Sequence, residues 1–227
     1  GTGIGLDMAK CFVQSGATVI ITGRREEVLK EAIQAIGQGA HYIVNDVSDL
    51  SQTTSLVHQI VSQFGQIDVL VNNAGINMKK HAIEVSDEEF NRIIQTNLNA
   101  VFALTREVGK HMLDRKSGSI IMISSMAAYY GIDRVAAYAS SKTGIYGLVR
   151  VLASEWSQHG IRVNAIAPGF IETAMSRTAM NSDPDRKHKA MDRTPAGHFG
   201  KPEDVAWAAV YLASDASSYV TGVSLPV

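Results

Sequence analysis

Only one cysteine, Cys11, occurs among the 227 residues, which excludes an internal disulfide framework. That scarcity fits a reducing compartment, and the cytoplasm is the default expectation. No apolar run approaches the roughly 18 residues that cross a bilayer, so no membrane partner is expected. Charge of one sign is missing too. Twenty-one Lys and Arg against 22 Asp and Glu give a net charge of −1, which leaves no basic footprint for nucleic acid. The seven histidines (His41, His58, His81, His111, His159, His188 and His198) show no metal-ligand spacing, so no metal site is expected. No G-x-S-x-G surrounds Ser124 or Ser125, which leaves a serine hydrolase without its signature. The chain also lacks linker-like shifts in composition, repeats and low-complexity stretches. With 45% apolar and 19% charged residues it reads as one globular domain, residues 1–227.

Short apolar runs alternate with amphipathic stretches along the whole chain. A strand is expected at 17–22, a β-branched run without polar alternation, and further strands at 41–44, 68–71, 119–123 and 161–167. Helical spacing marks 6–14, 25–36, 51–64, 87–113, 137–158 and 202–213. Strands alternating with helices of this length imply crossover connections, a parallel sheet and a Rossmann-type, doubly wound α/β fold. The stretch 171–200 falls outside the pattern and is expected to be a substrate lid.

The chain opens Gly1-Thr2-Gly3-Ile4-Gly5 ahead of a helix. Glycines there let backbone N–H groups approach a pyrophosphate at a helix N-terminus, although the same residues also make an ordinary turn. In a dinucleotide fold, the residue that reads the adenosine ribose lies about 20 positions further on, at the end of the second strand. Gly23 and Arg24 stand at that point. An acid there would accept the 2′-OH of NAD and repel a 2′-phosphate. Glycine removes the repulsion and Arg24 offers a charged fork, so NADP(H) is expected, with NAD(H) as the lesser possibility. Arg24 and Arg25 also read as solvated charges at a helix start.

Tyr138 and Lys142, four residues apart on a helix, share a face. An adjacent ammonium favours a phenolate, so the expectation is a lowered Tyr138 pKa, suited to acid–base work. Such a pair is common and means little alone. Ser125 ends a buried strand at the edge where parallel sheets bind ligands, and Asn72-Asn73-Ala74-Gly75 ends another. Asn97 sits in an apolar helix, where a buried amide needs partners, and a purely structural hydrogen bond explains it equally well.

Taken in order, these motifs resemble the classical short-chain dehydrogenases/reductases. The resemblance rests on Gly3-Ile4-Gly5, Asp46-Val47, Asn72-Asn73-Ala74-Gly75, Thr96-Asn97-Leu98, Ser124-Ser125, Tyr138-x-x-x-Lys142, and Pro168-Gly169 leading to Thr173. It implies that Tyr138 is the acid/base, that Lys142 holds the nicotinamide ribose and tunes Tyr138, that Ser125 orients the substrate, and that Asn97 supports a water relay. It further implies that Asp46 and Val47 flank the adenine, that Asn72, Ala74 and Gly75 line the cofactor, and that Pro168, Gly169, Ile171 and Thr173 bracket the nicotinamide amide and diphosphate. A homotetramer built through 87–113 and 137–158 is likewise implied. Two departures stand out: the family's first strand and first motif glycine precede Gly1, and relatives continue past Val227. Both ends are therefore expected to be missing from the sequence.

The lid carries Arg177, Arg186, Lys187, His188, Lys189 and Arg193, and the loop after Gly75 adds Lys79, Lys80 and His81. A solvated basic surface and a mouth that attracts an anionic substrate both fit. The lid and Gly200-Lys201-Pro202-Glu203-Asp204 look similar to gluconate 5-dehydrogenase-like sugar-acid and polyol dehydrogenases. The 3-oxoacyl-[acyl-carrier-protein] reductases share nearly all the motifs and form the alternative. A non-catalytic NADP(H) sensor is the reading from another class.

Overall fold

The structure is a computed structural model that describes residues 1–173 and 184–227. Packing groups the chain into two compact units.

The first unit comprises 1–44, 168–211 and Val227. It opens with α1 (Gly3–Gln14), which starts at the glycines themselves, three residues before the expected Leu6. Gly3 takes φ +57°, a left-handed value that suits glycine. Strand β1 (Val19–Gly23) and strand β2 (Ala40–Val44) pair in parallel, joined by α2 (Glu26–Ile36). Leu29 and Ala32 point the apolar stripe of α2 inward, and Glu26 and Glu27 favour its N-terminal dipole. Within 171–200, α7 (Pro184–Asp192) forms where no helix was expected. Its charged sequence, PDRKHKAMD, offers no apolar stripe to read. Most of α8 (Pro202–Ala213) belongs here as well, with proline at its first position and acids in its first turn.

The second unit comprises 45–167 and 212–226. Its parallel sheet runs in the order β3-β4-β5-β6, where β3 is Val69–Asn72, β4 Gly118–Ile123, β5 Ile161–Ala167 and β6 Ser224–Pro226. The sequence pattern missed β6, three residues among glycine, serine and proline. Four helices accompany the sheet: α3 (Thr53–Phe64), α4 (Asp87–Ile94), α5 (Ala100–Arg115) and α6 (Ala136–Trp156). Ser86 and Glu89 close a reciprocal capping box at the start of α4. The core is built from β4 and β5 (Ile120, Met122, Ile161, Val163) against α5 and α6 (Val108, Met112, Ile145, Val149). Both central strands are largely buried because helices and neighbouring strands cover both faces, and the polar residues they carry, Ser119, Arg162 and Asn164, are hydrogen-bonded.

Residues 87–113 are helical throughout, as expected, but the hydrogen-bond pattern changes midway. A π-helical turn, Gln95–Asn99, separates α4 from α5 and carries Asn97. Because β3 and β4 run parallel, their C-terminal ends lie on one edge, and Ser124-Ser125 and Asn72-Asn73-Ala74-Gly75 leave the sheet there.

Candidate active site

Four of the residues singled out from the sequence converge at that edge. The Asn97 carboxamide is fully buried and bonded to Ile76 in both directions: Nδ2 donates to the Ile76 carbonyl at 2.9 Å, and Oδ1 accepts from its N–H at 2.8 Å. Its second amide hydrogen goes to Ser141 Oγ at 3.1 Å, and Ser141 in turn donates to the Tyr138 carbonyl at 2.7 Å. Asn97 thus fixes the loop after Gly75 and the first turn of α6 together. Its side-chain donors are spent within the protein.

Lys142 is buried at the same place, and its Nζ donates to the Ile123 carbonyl at 2.6 Å and lies 5.7 Å from the Tyr138 ring centre. A methyl group built on Gly75 would stand 3.4 Å from Asn97 Oδ1 and 3.5 Å from Lys142 Nζ. Glycine therefore keeps the strand end close to both groups. The Ser125 hydroxyl lies near the Tyr138 phenol, close enough to favour its charged form. Ser125 Oγ accepts from the Ala127 N–H at 3.1 Å, which sets its orientation.

The electrostatics correct one expectation. Lys142 does not depress Tyr138. Burial pushes the Tyr138 phenol above its usual range, and the nearby Ser125 hydroxyl offsets this only in part. Burial likewise pulls Lys142 down, to about 8. Both charged forms lose water, and that loss outweighs the pairing. The result is a phenol that keeps its proton at neutral pH, poised to donate it to a carbonyl oxygen, next to an ammonium near its titration point.

Other residues take different roles from those expected. Asn72 is buried and donates to Thr105 Oγ1 at 3.0 Å, so its side chain anchors β3 to α5 instead of lining a crevice. Ala74 and Gly75 are exposed. Asp46 accepts from the Ser48 N–H and hydroxyl, at 3.0 and 2.7 Å, in the loop that also holds the part-buried Val47. Lys80 is not available to a substrate in the way a basic mouth requires, because Glu89 holds it at 2.8 Å. His188 faces Asp192 at 3.5 Å, and Lys189 is exposed. Arg177 and the side chains of Arg186 and Lys187 lie outside the described residues.

Sequence reasoning missed Ser124 and Ser141. Buried Ser124 donates to the Lys142 carbonyl at 3.0 Å and so pins α6 to the end of β4. Serine is unremarkable in a helix or at a strand end, so only its neighbours, Ser125 and Lys142, hinted at these roles.

In the first unit, Gly1, Gly23, Arg24 and Arg25 line one cleft of about 170 Å³ with Val28 and Leu29. The glycine turn and the expected phosphate reader thus meet. Ile4 and Gly5 are part-buried in the first turn of α1. Thr173 Cγ2 would lie 3.9 Å from a methyl group on Gly3. The Gly169 N–H donates to Val227 at 2.7 Å, and the segment from Phe170 to Glu172 is clipped to Gly200 by a parallel bridge at Ile171. Ile171 is buried and Pro168 part-buried. The glycine-lined cleft beside Arg24 and Arg25 is chemically suited to a phosphate group. Among the described residues, no cluster of three or more His, Cys, Asp or Glu is placed to hold a metal ion. No described helix is long and apolar enough to cross a membrane.

A family model described as enoyl-(acyl carrier protein) reductase matches residues 1–227. A 2-dehydro-3-deoxy-D-gluconate 5-dehydrogenase from Dickeya dadantii is 37% identical over 230 residues, covering all of this chain and 90% of the relative. The 3-oxoacyl-[acyl-carrier-protein] reductase FabG from Thermotoga maritima is 41% identical over 226 residues, covering 97% of this chain and 90% of its own. Among solved structures, a protein from Beutenbergia cavernae, provisionally named an NAD(P)-dependent gluconate 5-dehydrogenase and holding NADP at low occupancy, superposes with a TM-score of 0.93. It is 40% identical and covers 99% of this chain and 90% of that one. The motifs, the parallel α/β fold and these relatives agree: the chain belongs to the classical short-chain dehydrogenase/reductase family, oxidoreductases that interconvert CH–OH and carbonyl groups.

Proposed function

We propose that this protein is an NADP(H)-preferring dehydrogenase/reductase whose substrate is a sugar acid or polyol, in the manner of gluconate 5-dehydrogenases. The observation that carries the chemistry is the part-buried Tyr138, whose phenol lies near Ser125 and whose ring centre is 5.7 Å from Lys142 Nζ. A bound nicotinamide supplies or takes the hydride. Tyr138 gives its proton to the carbonyl oxygen in reduction, Ser125 holds that oxygen, and Lys142 orients the ribose and supplies positive charge. Asn97 keeps the turn and helix in register. The cofactor residues proposed in the first unit are Gly3, Ile4, Gly5, Arg24, Pro168, Gly169, Ile171 and Thr173. Those in the second unit are Asp46, Val47, Asn72 (through its backbone), Ala74 and Gly75, with Tyr138 and Lys142.

The preference for NADP(H) rests on Arg24 in the glycine-lined cleft, where Gly23 carries no carboxylate to repel a 2′-phosphate. Arg24→Ala should weaken NADPH binding by about tenfold or more and leave NADH within about twofold, since one charge-assisted phosphate contact is worth ~1.5–3 kcal/mol. Nucleotide fluorescence titrations check this, and equal losses for both cofactors would sink it.

A carrier-protein substrate is the second reading, favoured by the 41% identity to FabG. Initial rates with NADPH on 5-ketogluconate and on an acetoacetyl thioester separate the two. Faster turnover of the keto acid is the expected result, and thioester preference would move the enzyme to acyl-chain reduction.

The assembly proposed is a homotetramer. It is supported by an exposed apolar groove of about 390 Å³ where Leu98 and Phe102 face Gly144, Gly147, Leu148 and Val151. A cytoplasmic setting is proposed from the single, buried Cys11.

A further inference from the structure

A chain of hydrogen bonds leaves the π-helical turn and ends on the Asp46 loop. Gln95 opens that turn, two residues before Asn97. Its Nε2 donates to the Ser48 carbonyl at 3.1 Å, across 47 positions of sequence. Asn99, from the same turn, donates through Nδ2 to Gln95 Oε1 at 3.0 Å. That bond decides which end of the Gln95 carboxamide faces Ser48, because an amide oxygen cannot also donate. Ser48 then turns back on Asp46, giving both its N–H and its hydroxyl to Oδ1.

A glutamine on a helix ordinarily points to water, where its long side chain keeps its rotamer freedom. Gln95 is instead part-buried and gives up that freedom to reach a loop carbonyl. The loop lacks strand or helix bonds of its own between Asn45 and Asp49, so its position depends on such side-chain ties.

We propose that Gln95 is a positioning residue for cofactor recognition: it holds the Asp46–Val47–Ser48 loop against the turn that carries Asn97. The adenine end of the nucleotide and the catalytic turn are then set by one side chain. This rests on the reading that Asp46 and Val47 flank the adenine.

Gln95→Glu keeps the shape of the side chain but turns an oxygen toward the Ser48 carbonyl. Gln95→Met removes the donor without adding charge. Both variants should weaken NADPH and NADH alike, by about 3–10-fold, the effect of losing roughly one hydrogen bond. The KM for cofactor should rise by the same factor, while kcat at saturating cofactor falls by less than about twofold, because Asn97 keeps its bonds to Ile76 and Ser141. Equal loss for the two nucleotides separates this from Arg24, which should act on NADPH alone. Variants that bind both nucleotides as tightly as the parent would overturn the proposal while leaving the cofactor reading intact. A fall in kcat with unchanged affinity would also overturn it, by pointing to a structural role at the catalytic turn. A parent protein that binds neither nucleotide would remove the cofactor reading, and this proposal with it.

Discussion

Tyr138→Phe should lower turnover by about 10²–10⁴-fold, the usual worth of a positioned general acid, while cofactor affinity stays within about twofold of the parent. The substitution deletes one oxygen and leaves the ring in its place near Lys142 and α6. Among the described residues of the site, Tyr138 is the group assigned to give that proton to the carbonyl oxygen. Ser125 is a far weaker acid, and the Lys142 Nζ is directed to the Ile123 carbonyl. The raised phenol pKa gives the loss a direction in pH. Reduction draws on protonated Tyr138 and should hold up across neutral pH, whereas alcohol oxidation needs the phenolate and should climb as the medium becomes more alkaline. Steady-state rates in both directions, with nucleotide titrations on the same samples, test this. A variant retaining more than a tenth of parental turnover would contradict the assignment. If no carbonyl or alcohol turned over in the parent while nucleotides bound, a sensor would become the better description.

Lys142→Met should do two opposite things: lower activity by about two orders of magnitude and make the folded protein more stable at neutral pH. A buried ammonium pulled from 10.5 to about 8 carries a burden of about 3 kcal/mol when charged. Methionine matches its length and sheds that burden. The Ile123 carbonyl loses its donor in exchange, at a cost of about 1 kcal/mol, so the expected gain is about 2 kcal/mol. The pH dependence follows from the direction of the shift. Between about 8 and 10.5 the unfolded chain holds a proton that the folded chain has released, so parental stability rises with pH across that window. Below 8 both states are protonated and the burden is complete. The advantage of the methionine variant should therefore be largest at neutral pH and shrink toward pH ~10. Denaturant midpoints measured along that range decide the matter. A variant less stable than its parent at neutral pH would mean that the ammonium is well paired, not a tolerated burden.

Much of this was legible in the residues. Short, mostly apolar runs between helical stretches marked β4 and β5 nearly to the residue, since a strand covered on both faces has little room for polar side chains. Asn97 and Lys142, which both approach Gly75, are singled out by their order along the chain, as are Tyr138 and Ser125. The charges of the site were not legible, because spacing reports proximity and not desolvation. Lys142 is a near neighbour of Tyr138, yet both groups respond first to burial. The π-helical turn also left no trace. Asn97 looks like any amide in an apolar helix, and the extra residue in its turn is absorbed by contacts with Ile76 and Ser141 that are remote in sequence. Asn72 was assigned to the crevice on the strength of its place at a strand end, whereas its amide turns back to Thr105.

Ser124 and Ser125 are chemically identical neighbours with unrelated duties. Both continue the extended path of β4, so one hydroxyl goes to the Lys142 carbonyl and the next lies near Tyr138. A strand that slipped by a single residue against β5 would keep every side chain, the sheet and the helices, yet exchange the two hydroxyls. The alignment of β4 is therefore part of the reagent. Fidelity of strand pairing during folding separates a working catalyst from an inert protein of the same composition, and no census of residues would tell the two apart.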